Sequence, residues 1–128
     1  MRVKIEHLDV HGDKRGCVFE PLEPEAIPRQ RNVHVVLTQP GCVRGNHYHK
    51  QGTEIIVVHG STLVRFRDKQ VLYEEKVGDN QTVRFVIPSE VTHALKNTGS
   101  RATIMIAFNT VAHDKEGPDV VRDVLIKD

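Results

Sequence analysis

The sequence has few of the features that mark secreted or membrane-embedded proteins. Cys17 and Cys42 are its only cysteines, and one such pair does not make the disulfide framework that stabilises small secreted domains. No apolar run is long enough to span a bilayer, and the N-terminus carries charges where a signal peptide needs an apolar stretch. We therefore expect reduced thiols and a cytoplasmic protein.

The chain also has little net charge. Its 18 Lys and Arg residues nearly balance 17 Asp and Glu residues, for a formal net charge of +1, and both signs are spread along the whole length. Such a surface gives no electrostatic reason to bind nucleic acid or a membrane. We expect neither as a partner, and a small polar ligand fits the composition better.

The length and the apolar content suit one globular unit. The chain has 128 residues, of which 38% are hydrophobic, and this is enough for a modest core. No internal repeat or low-complexity tract interrupts the pattern. The sequence therefore predicts a single domain over residues 1–128.

Short runs rich in Val, Ile, Thr and Phe recur along the chain, separated by Gly, Pro, Asn and Asp. This spacing is typical of an antiparallel β-sandwich or β-barrel. The predicted strands are 32–38, 53–59, 62–68, 71–76, 82–87 and 102–108. Residues 118–127 suit a short helix as well as a strand, and we favour the strand.

Alternation within these strands predicts which faces are buried. Val64 and Phe66 share one face of their strand, while Arg65 and Arg67 share the other, so one side meets a core and the other carries positive charge. The run 104–108 is apolar on both faces. We expect a second sheet or another subunit to cover it.

Two histidines stand two positions apart in an extended segment, so His47 and His49 project from the same face. Glu54 follows a glycine turn, and a hairpin would return its carboxylate to the two imidazoles. His93 follows the turn that Pro88 begins and can supply a third imidazole. Three imidazoles and a carboxylate suit manganese, iron, cobalt, nickel or zinc with overlapping preference, so the sequence predicts one divalent transition metal of open identity.

The other histidines have no ligand spacing. For any single histidine an ordinary structural role is the more common one, by roughly three to one. His34 alternates with two valines and could point into a barrel, but no nearby partner supports it as a ligand. We expect the remaining four to be solvated: His7, His11, His59 and His113.

This ligand pattern resembles the two motifs of the cupins. The first motif corresponds to Gly41, His47, His49, Glu54 and Gly60, and the second corresponds to Pro88, Glu90, His93 and Asn97. Glu90 stands where the family typically has glycine. The resemblance implies an all-β, single-domain cupin fold, a double-stranded β-helix or jelly-roll-type antiparallel barrel, with the metal held inside.

Two shorter elements resemble nucleotide-sugar enzymes of the dTDP-4-dehydrorhamnose 3,5-epimerase type. These elements are residues 13–20, read as Asp-x-Arg-Gly-x-x-x-Glu, and residues 44–47, read as Arg-Gly-x-His. In that family the histidine acts as the base, and the arginines contact the diphosphate or sugar. Those enzymes generally lack a metal, whereas this chain has the full ligand set, so we assign His47 as a ligand.

A closer resemblance is to the metal-containing cupin domain of capsular-polysaccharide enzymes that epimerise a keto-deoxy sugar. Residues 44–49 read Arg-Gly-Asn-His-Tyr-His in both, and the tail residues 108–109 and 117–119 are also similar. This resemblance implies an epimerase or isomerase of a nucleotide-linked or related keto sugar. The metal would stabilise an enolate.

The resemblance also suggests residues for the remaining chemistry. We predict proton transfer by Glu20, Tyr48 or Tyr73, although Tyr48 alternates away from the histidines on an ideal strand. Arginine offers planar donors for a diphosphate, and the predicted substrate-binding residues are Arg15, Arg44, Arg65 and Arg67. A solvated charged face explains Arg65 and Arg67 equally well.

Two other functions remain open at this point. A site with three histidines and one glutamate can bind iron and substrate, as a metal-dependent dioxygenase requires. A non-catalytic sugar-binding or regulatory cupin is the other possibility, since no unmistakable acid and base pair is present. We expect a homodimer in any of these cases, because the doubly apolar strand needs cover.

Overall fold

The computed structural model describes residues 1–112 and 119–128. Within these residues the chain forms β-strands and one short 3₁₀ helix, Pro24–Arg29. The all-β class predicted from the sequence is confirmed. The strands are β1 (Lys4–His7), β2 (His11–Asp13), β3 (Gly16–Val18), β4 (Asn32–Thr38), β5 (Val43–His49), β6 (Glu54–His59), β7 (Thr62–Asp68), β8 (Val71–Val77), β9 (Thr82–Ile87), β10 (Thr92–Asn97), β11 (Thr103–Asn109) and β12 (Val120–Arg122).

The predicted strands are confirmed to within one residue at each end: β4, β7 and β9 match, and β6, β8 and β11 shift slightly. The sequence analysis did not predict β5 and β10 as strands. Both carry the histidines, and their polar residues hide the apolar alternation that marks a strand. The predicted C-terminal strand is limited to β12. His113 and residues 117–118 of the tail element lie outside the described residues.

The strands form two five-stranded antiparallel sheets and a separate β2–β3 hairpin. Sheet 1 has the order β1-β9-β6-β11-β4, and sheet 2 has the order β12-β5-β10-β7-β8. Apart from β7 and β8, neighbouring strands in each sheet are not consecutive in the chain, as in a jelly-roll arrangement. The central strand of sheet 1 is β6 and that of sheet 2 is β10, so Glu54 and His93 both lie on central strands.

Apolar side chains from the two sheets meet in what we call the barrel core. Val64 and Phe66 are 1% and 0% exposed, as their alternation predicted. The Phe66 and Phe85 ring centroids lie 5.5 Å apart. Burying a side chain of this size stabilises the fold by roughly 1.5–3 kcal/mol. The barrel core also includes Ile56, Val58, Val83, Ile87, Val91, Leu95 and Ala107.

A second apolar cluster covers the outer face of sheet 1. Leu22, which precedes the 3₁₀ helix, packs with Ile55, Val57 and Phe108. Strand β11 therefore contributes Ala107 to the barrel core and Phe108 to the outer cluster. Part of the predicted cover on both faces of this strand thus comes from the same chain. Part of the outer face stays bare, since four apolar residues of β4 and β11 are 42–64% exposed: Val33, Val35, Leu37 and Ile104.

Both cysteines are free and exposed. Within residues 1–112 and 119–128, no helix has both the length and the apolarity needed to cross a membrane.

Candidate metal centre

A β-bulge in β5 places His47, the first of the predicted ligands. His93 pairs with His47, but the next residue, Ala94, pairs with Gly45, so Asn46 is the extra residue of the bulge. Asn46 and Gly45 have φ angles of 60° and 84°, in the left-handed region. A Cβ atom on Gly45 would lie 2.7 Å from the His93 carbonyl oxygen, which only glycine avoids. The local sequence Gly-Asn thus permits the bulge that aligns His47 with His93.

The four predicted ligands converge at one end of the barrel interior. Their candidate ligand atoms all lie within 4.8 Å of one another: His47, His49, Glu54 and His93. The Oε1 atom of Glu54 lies 2.8 Å from Nε2 of His93 and 3.4 Å from Nε2 of His49. We call these four residues the ligand cluster. Spacing alone predicted its members, and the fold brings all of them together.

The ligand cluster contains buried polar atoms with unused bonding capacity. Among the described residues, Nε2 of His49, Oε1 of Glu54 and Nε2 of His93 are buried without a hydrogen-bond partner of suitable geometry. The Nδ1 atom of His93 lies 3.1 Å from the Val91 carbonyl oxygen. A proton on Nδ1 would donate to that oxygen and leave the Nε2 lone pair facing the carboxylate. Buried lone pairs without donors are costly, and a cation between them would satisfy them, so this donor set fits a divalent metal.

The protonation states suit metal binding. Burial and the neighbouring His93 lower the pKa of His47 to about 4, so its imidazole is neutral near pH 7. Burial opposes the charge of Glu54, but the adjacent imidazoles outweigh it and hold the pKa of that carboxyl well below its usual range. The Glu54 carboxylate in turn raises the pKa of His49. A neutral imidazole and an ionised carboxylate are the forms that bind metals.

Glu90 occupies the position where the second cupin motif typically has glycine. Its φ angle is 67°, so the turn keeps the left-handed conformation that favours glycine. The Glu90 amide donates a hydrogen bond to the His49 carbonyl oxygen over 2.7 Å, which ties this turn to the end of β5. A side chain in this conformation costs roughly 1–2 kcal/mol, and the turn is kept despite that cost.

Asn46 fixes the C-terminal segment, residues 119–126, onto sheet 2. Its side-chain amide donates to the Ile126 carbonyl oxygen over 2.8 Å, and its Oδ1 accepts from the amides of Leu125 and Ile126 at 2.9 and 3.0 Å. The Asp123 amide donates to the Asn46 carbonyl oxygen over 2.8 Å. The extra residue of the bulge thus also anchors a segment about 80 positions away.

This anchoring adds Arg122 and Asp119 to the site, and the sequence analysis predicted neither. Strand β12 pairs with β5 so that Arg122 lies opposite His47 and Val120 lies opposite His49. Directly opposed residues of antiparallel strands project from the same face, so Arg122 is on the ligand face of the sheet. Only the long-range pairing reveals it, since no local motif surrounds it.

Arg44 also shares that inner face, because the bulge keeps it in register with Leu95 of the barrel core. Its guanidinium donates to the Leu37 carbonyl oxygen over 3.0 Å, and its side chain is exposed. Across the opening, His34 pairs with Ala107 and therefore faces inward from the edge strand β4. His34 is exposed there, as expected for an inward-facing residue at the mouth of a barrel.

The three predicted proton-transfer residues are not brought to the ligand cluster. Tyr48 pairs with Val121 and projects from the face opposite to His47 and His49. The bulge at Asn46 lies before all three residues, so regular strand alternation holds among them. Tyr73 packs against the barrel core from β8. Glu20 is exposed beside a groove that Arg84 lines on the outer face of sheet 1. Their placement gives these predicted roles no support.

Three of the four predicted substrate-binding arginines also lie apart from the cluster. Arg65 and Arg67 project outward from sheet 2, since Phe66 between them is buried in the barrel core. They form ion pairs with Glu74 and Asp123 at 2.9 and 2.6 Å, as a charged outer face would. Arg15 is exposed in the β2–β3 hairpin and pairs with Asp13. Arg44 shares the sheet face of the cluster, but its guanidinium turns to β4 and lines a small cavity that contains none of the four cluster residues.

Comparison with curated proteins gives two relatives with similar identity. The chain is 27% identical to the UDP-2-acetamido-2,6-beta-L-arabino-hexul-4-ose reductase of Pseudomonas aeruginosa over 88% of its own length and 30% of that protein. It is 26% identical to the probable low-salt glycan biosynthesis epimerase Agl13 of Haloferax volcanii, over 94% of this chain and 85% of that protein. The chain thus spans about a third of the first relative and most of the second.

Solved structures show the same fold. The capsular polysaccharide assembling protein CapF of Staphylococcus aureus is 26% identical, with a TM-score of 0.69 over 92% of this chain and 33% of that one. A dTDP sugar isomerase of Desulfovibrio desulfuricans G20 is 17% identical, with a TM-score of 0.80 over 96% of this chain and 84% of that one. These matches confirm the cupin-type fold and the resemblance to sugar-nucleotide enzymes and CapF.

A family model covers most of the chain. The model for the polysaccharide biosynthesis C-terminal domain matches residues 11–121, which include the hairpin, both histidine motifs and the first two residues of β12. The chain therefore belongs to the polysaccharide biosynthesis C-terminal domain family.

Proposed function

We propose that this protein is a metal-dependent epimerase or isomerase of a nucleotide-linked keto sugar. The observation that carries the proposal is the buried ligand cluster, with its unpartnered nitrogen and oxygen atoms at the end of a barrel. The names of a similar epimerase and of a similar dTDP sugar isomerase support the substrate class.

The four cluster residues would hold one divalent metal: His47, His49, Glu54 and His93. When bound, such a metal polarises a ketone oxygen and stabilises the negative charge of the enolate, by several kcal/mol as an order of magnitude. The protein's own part is to keep the cluster dry and ordered. His93 and Glu54 are 1% and 6% exposed, so the metal would be reached from the His47 and His49 side.

Arg44 and Arg122 would bind the anionic part of the substrate. Both lie on the ligand face of sheet 2, Arg44 three positions before His47 and Arg122 opposite it. Guanidinium groups bind phosphate oxygens through paired, charge-assisted hydrogen bonds. A diphosphate held there would place the attached sugar beside the cluster.

His34 is the candidate for proton transfer. It faces inward from β4, and two strand spacings separate β4 from β6, where Glu54 lies. That separation is about 10 Å, which leaves room for a sugar ring between the imidazole and the metal ligands. A base removes the proton beside the ketone, the electron pair moves to the ketone oxygen, and a proton returned to the opposite face completes the epimerisation.

The test is proton exchange in heavy water with a panel of nucleotide-linked 4-keto sugars, followed by NMR. We expect metal-loaded protein to exchange the proton on the carbon beside the ketone. His34→Gln should lose this exchange by a factor of about 10²–10⁴ and keep the bound metal. His11→Gln, an exposed histidine in the β2–β3 hairpin, is the matched control and should exchange as the wild type does.

Metal content is measured on the same samples. Elemental analysis of protein purified without added metal should find about one divalent ion per chain, and Glu54→Gln should reduce it strongly. Wild-type protein that binds no divalent metal, or that exchanges equally well after chelation, would refute the metal-dependent mechanism.

A non-catalytic sugar-binding role is the second candidate. It is favoured by one observation: Glu20, Tyr48 and Tyr73 all lie away from the cluster. Under this alternative the protein binds a nucleotide sugar in the presence of metal and exchanges no proton. Calorimetric binding with no exchange under any of the five predicted metals would establish it.

We also propose that a second copy of the chain covers the bare patch of Val33, Val35, Leu37 and Ile104. These side chains share the outer face of sheet 1 next to the buried Phe108, and β4 is an edge strand. Exposed apolar patches of this kind mark interaction sites. Light scattering should give a dimer mass, and Val35→Glu should give a monomer.

A further inference from the structure

The side chain of Asp119 is held against the site by the turn that follows β5. The Lys50 amide donates to the Asp119 carbonyl oxygen over 3.1 Å, and the Gln51 amide donates to Asp119 Oδ2 over 3.2 Å. The side chain is 25% exposed. Both the backbone and the carboxylate of Asp119 are therefore fixed relative to the end of β5.

The carboxylate of Asp119 faces the outer nitrogen of a ligand. Its Oδ2 lies 3.7 Å from Nδ1 of His49, while Nε2 of the same ring lies 3.4 Å from Oε1 of Glu54. The His49 ring thus stands between two carboxylates. Glu54 belongs to the ligand cluster and Asp119 does not.

From this arrangement we infer that Asp119 is a positioning residue for His49. This inference rests on the proposed metal function. At 3.7 Å the contact is longer than a hydrogen bond, but the carboxylate charge still favours a proton on Nδ1. The Nε2 lone pair is then free for the metal, and the ring is held edge-on to the cluster. Partners of this kind, outside the ligand set, typically change metal affinity by about 10–100-fold.

The C-terminal segment gives Asp119 its position independently of any metal. Val120 pairs with His49 in the β12–β5 ladder. Asp123, four residues further on, bonds to Arg67 at 2.6 Å and to the Thr92 hydroxyl at 2.6 Å. Asn46 binds the end of the segment. The segment thus presents Asp119 to His49 from an anchored backbone.

The first test compares two matched variants, Asp119→Asn and Asp123→Asn. Each removes one negative charge from the C-terminal segment, but only Asp119 faces a ligand. Affinity for Zn²⁺ and Mn²⁺ is measured by competition with a chelator, and melting temperature is measured on the metal-free proteins. We expect Asp119→Asn to lose about 10–100-fold in metal affinity and Asp123→Asn to lose melting temperature but keep its affinity. Equal affinity losses in both variants would overturn the inference.

The second test needs no metal. Long-range ¹⁵N–¹H NMR of the metal-free protein at alkaline pH, where the imidazoles are neutral, reports which nitrogen of His49 carries the proton. Without metal, Glu54 draws the proton to Nε2 from 3.4 Å and Asp119 draws it to Nδ1 from 3.7 Å. We therefore expect a larger fraction of the Nδ1–H form in the wild type and in Asp123→Asn than in Asp119→Asn. An unchanged tautomer in Asp119→Asn would refute the role of Asp119. This result stands even if the wild type binds no metal, so the two proposals fail separately.

Discussion

Phe66 in the barrel core and His93 in the ligand cluster are equally buried but are stabilised in different ways. Phe66 is 0% exposed and His93 is 1% exposed. Phe66 belongs to the apolar barrel core and packs near Phe85, with His93 as its partner in the β7–β10 ladder. Burial of its ring by itself lowers the free energy of the fold. A carboxylate oxygen of Glu54 lies 2.8 Å from Nε2 of His93, and these two buried atoms lack a hydrogen-bond partner of suitable geometry. The comparison teaches that the core supplies the stability with which the fold holds a costly polar cluster in place.

The largest expected effect is in the core. Phe66→Ala should lower the free energy of unfolding of the metal-free protein by about 3–5 kcal/mol, because a cavity replaces the ring. Urea denaturation measures this change. Leu72→Ala, at a 63% exposed position beside it in the same sheet, should change the free energy by less than about 0.5 kcal/mol. Equal changes in the free energy of unfolding for the two variants would show that the inner face of sheet 2, where Phe66 lies, is not the source of stability.

Metal addition should offset the free-energy cost of the unpartnered buried polar atoms in the ligand cluster. At a free metal concentration of one hundred times the dissociation constant, the free energy of unfolding should rise by about 2.7 kcal/mol. Thermal melting with and without a chelator measures the shift. Leu72→Ala should keep this shift and Glu54→Gln should lose most of it. A shift of the same size in Glu54→Gln would mean that the metal stabilises the protein elsewhere.

The protonation of His47 should make the metal-free protein less stable in acid. The pKa of His47 is about 4 in the folded state, against an ordinary value of 6.5, so the unfolded chain takes up a proton that the folded protein excludes. The stability of the wild type should therefore fall relative to His47→Gln as the pH decreases from about 6.5 to about 4.

His49 does not disturb this comparison. Its pKa is raised in the folded state, so its contribution is present below its unfolded pKa and is lost as the pH rises. The wild type and His47→Gln both contain His49, so its contribution cancels from the difference between their free energies of unfolding. Urea denaturation across the pH range measures that difference. A difference that does not vary with pH would show that His47 is not held neutral by the fold.

The smallest expected effect lies in the turn before β10. Glu90→Gly should raise the free energy of unfolding by roughly 0.5 kcal/mol, because relief of the left-handed conformation exceeds the added entropy of the unfolded chain. Glu90→Ala is the control, since it removes the charge but keeps the Cβ atom. Precise urea midpoints measure both. An equal gain in Glu90→Ala would assign the effect to the charge and not to φ.

The sequence predicted the ligands more reliably than the residues that accompany them. His47, His49 and Glu54 lie within eight positions of one another, so strand alternation and one turn were enough to group them. Arg122 and Asp119 reach the site through β12, which pairs across more than 70 positions. No local sequence pattern predicts a pairing between strands so far apart in the chain.

The candidates for catalysis show the same limit. Motif similarity proposed Glu20 and Arg15, which lie on the outer face and in the hairpin, apart from the cluster. His34 had no motif, but its register with Ala107 turns it towards the barrel interior. Similarity of short elements predicts residue types, while the side of a sheet on which a residue lies depends on register.

The sequence by itself determined the strand-rich class and the spacing of the four predicted ligands. These properties depend on alternation and turn chemistry, and both act over a few residues. Only the tertiary structure decided that Asn46 would anchor the C-terminal segment and that Arg122 and Asp119 would stand beside the ligands. Those contacts join segments about 70–80 positions apart, and they exist only once the apolar faces of the two sheets have packed together.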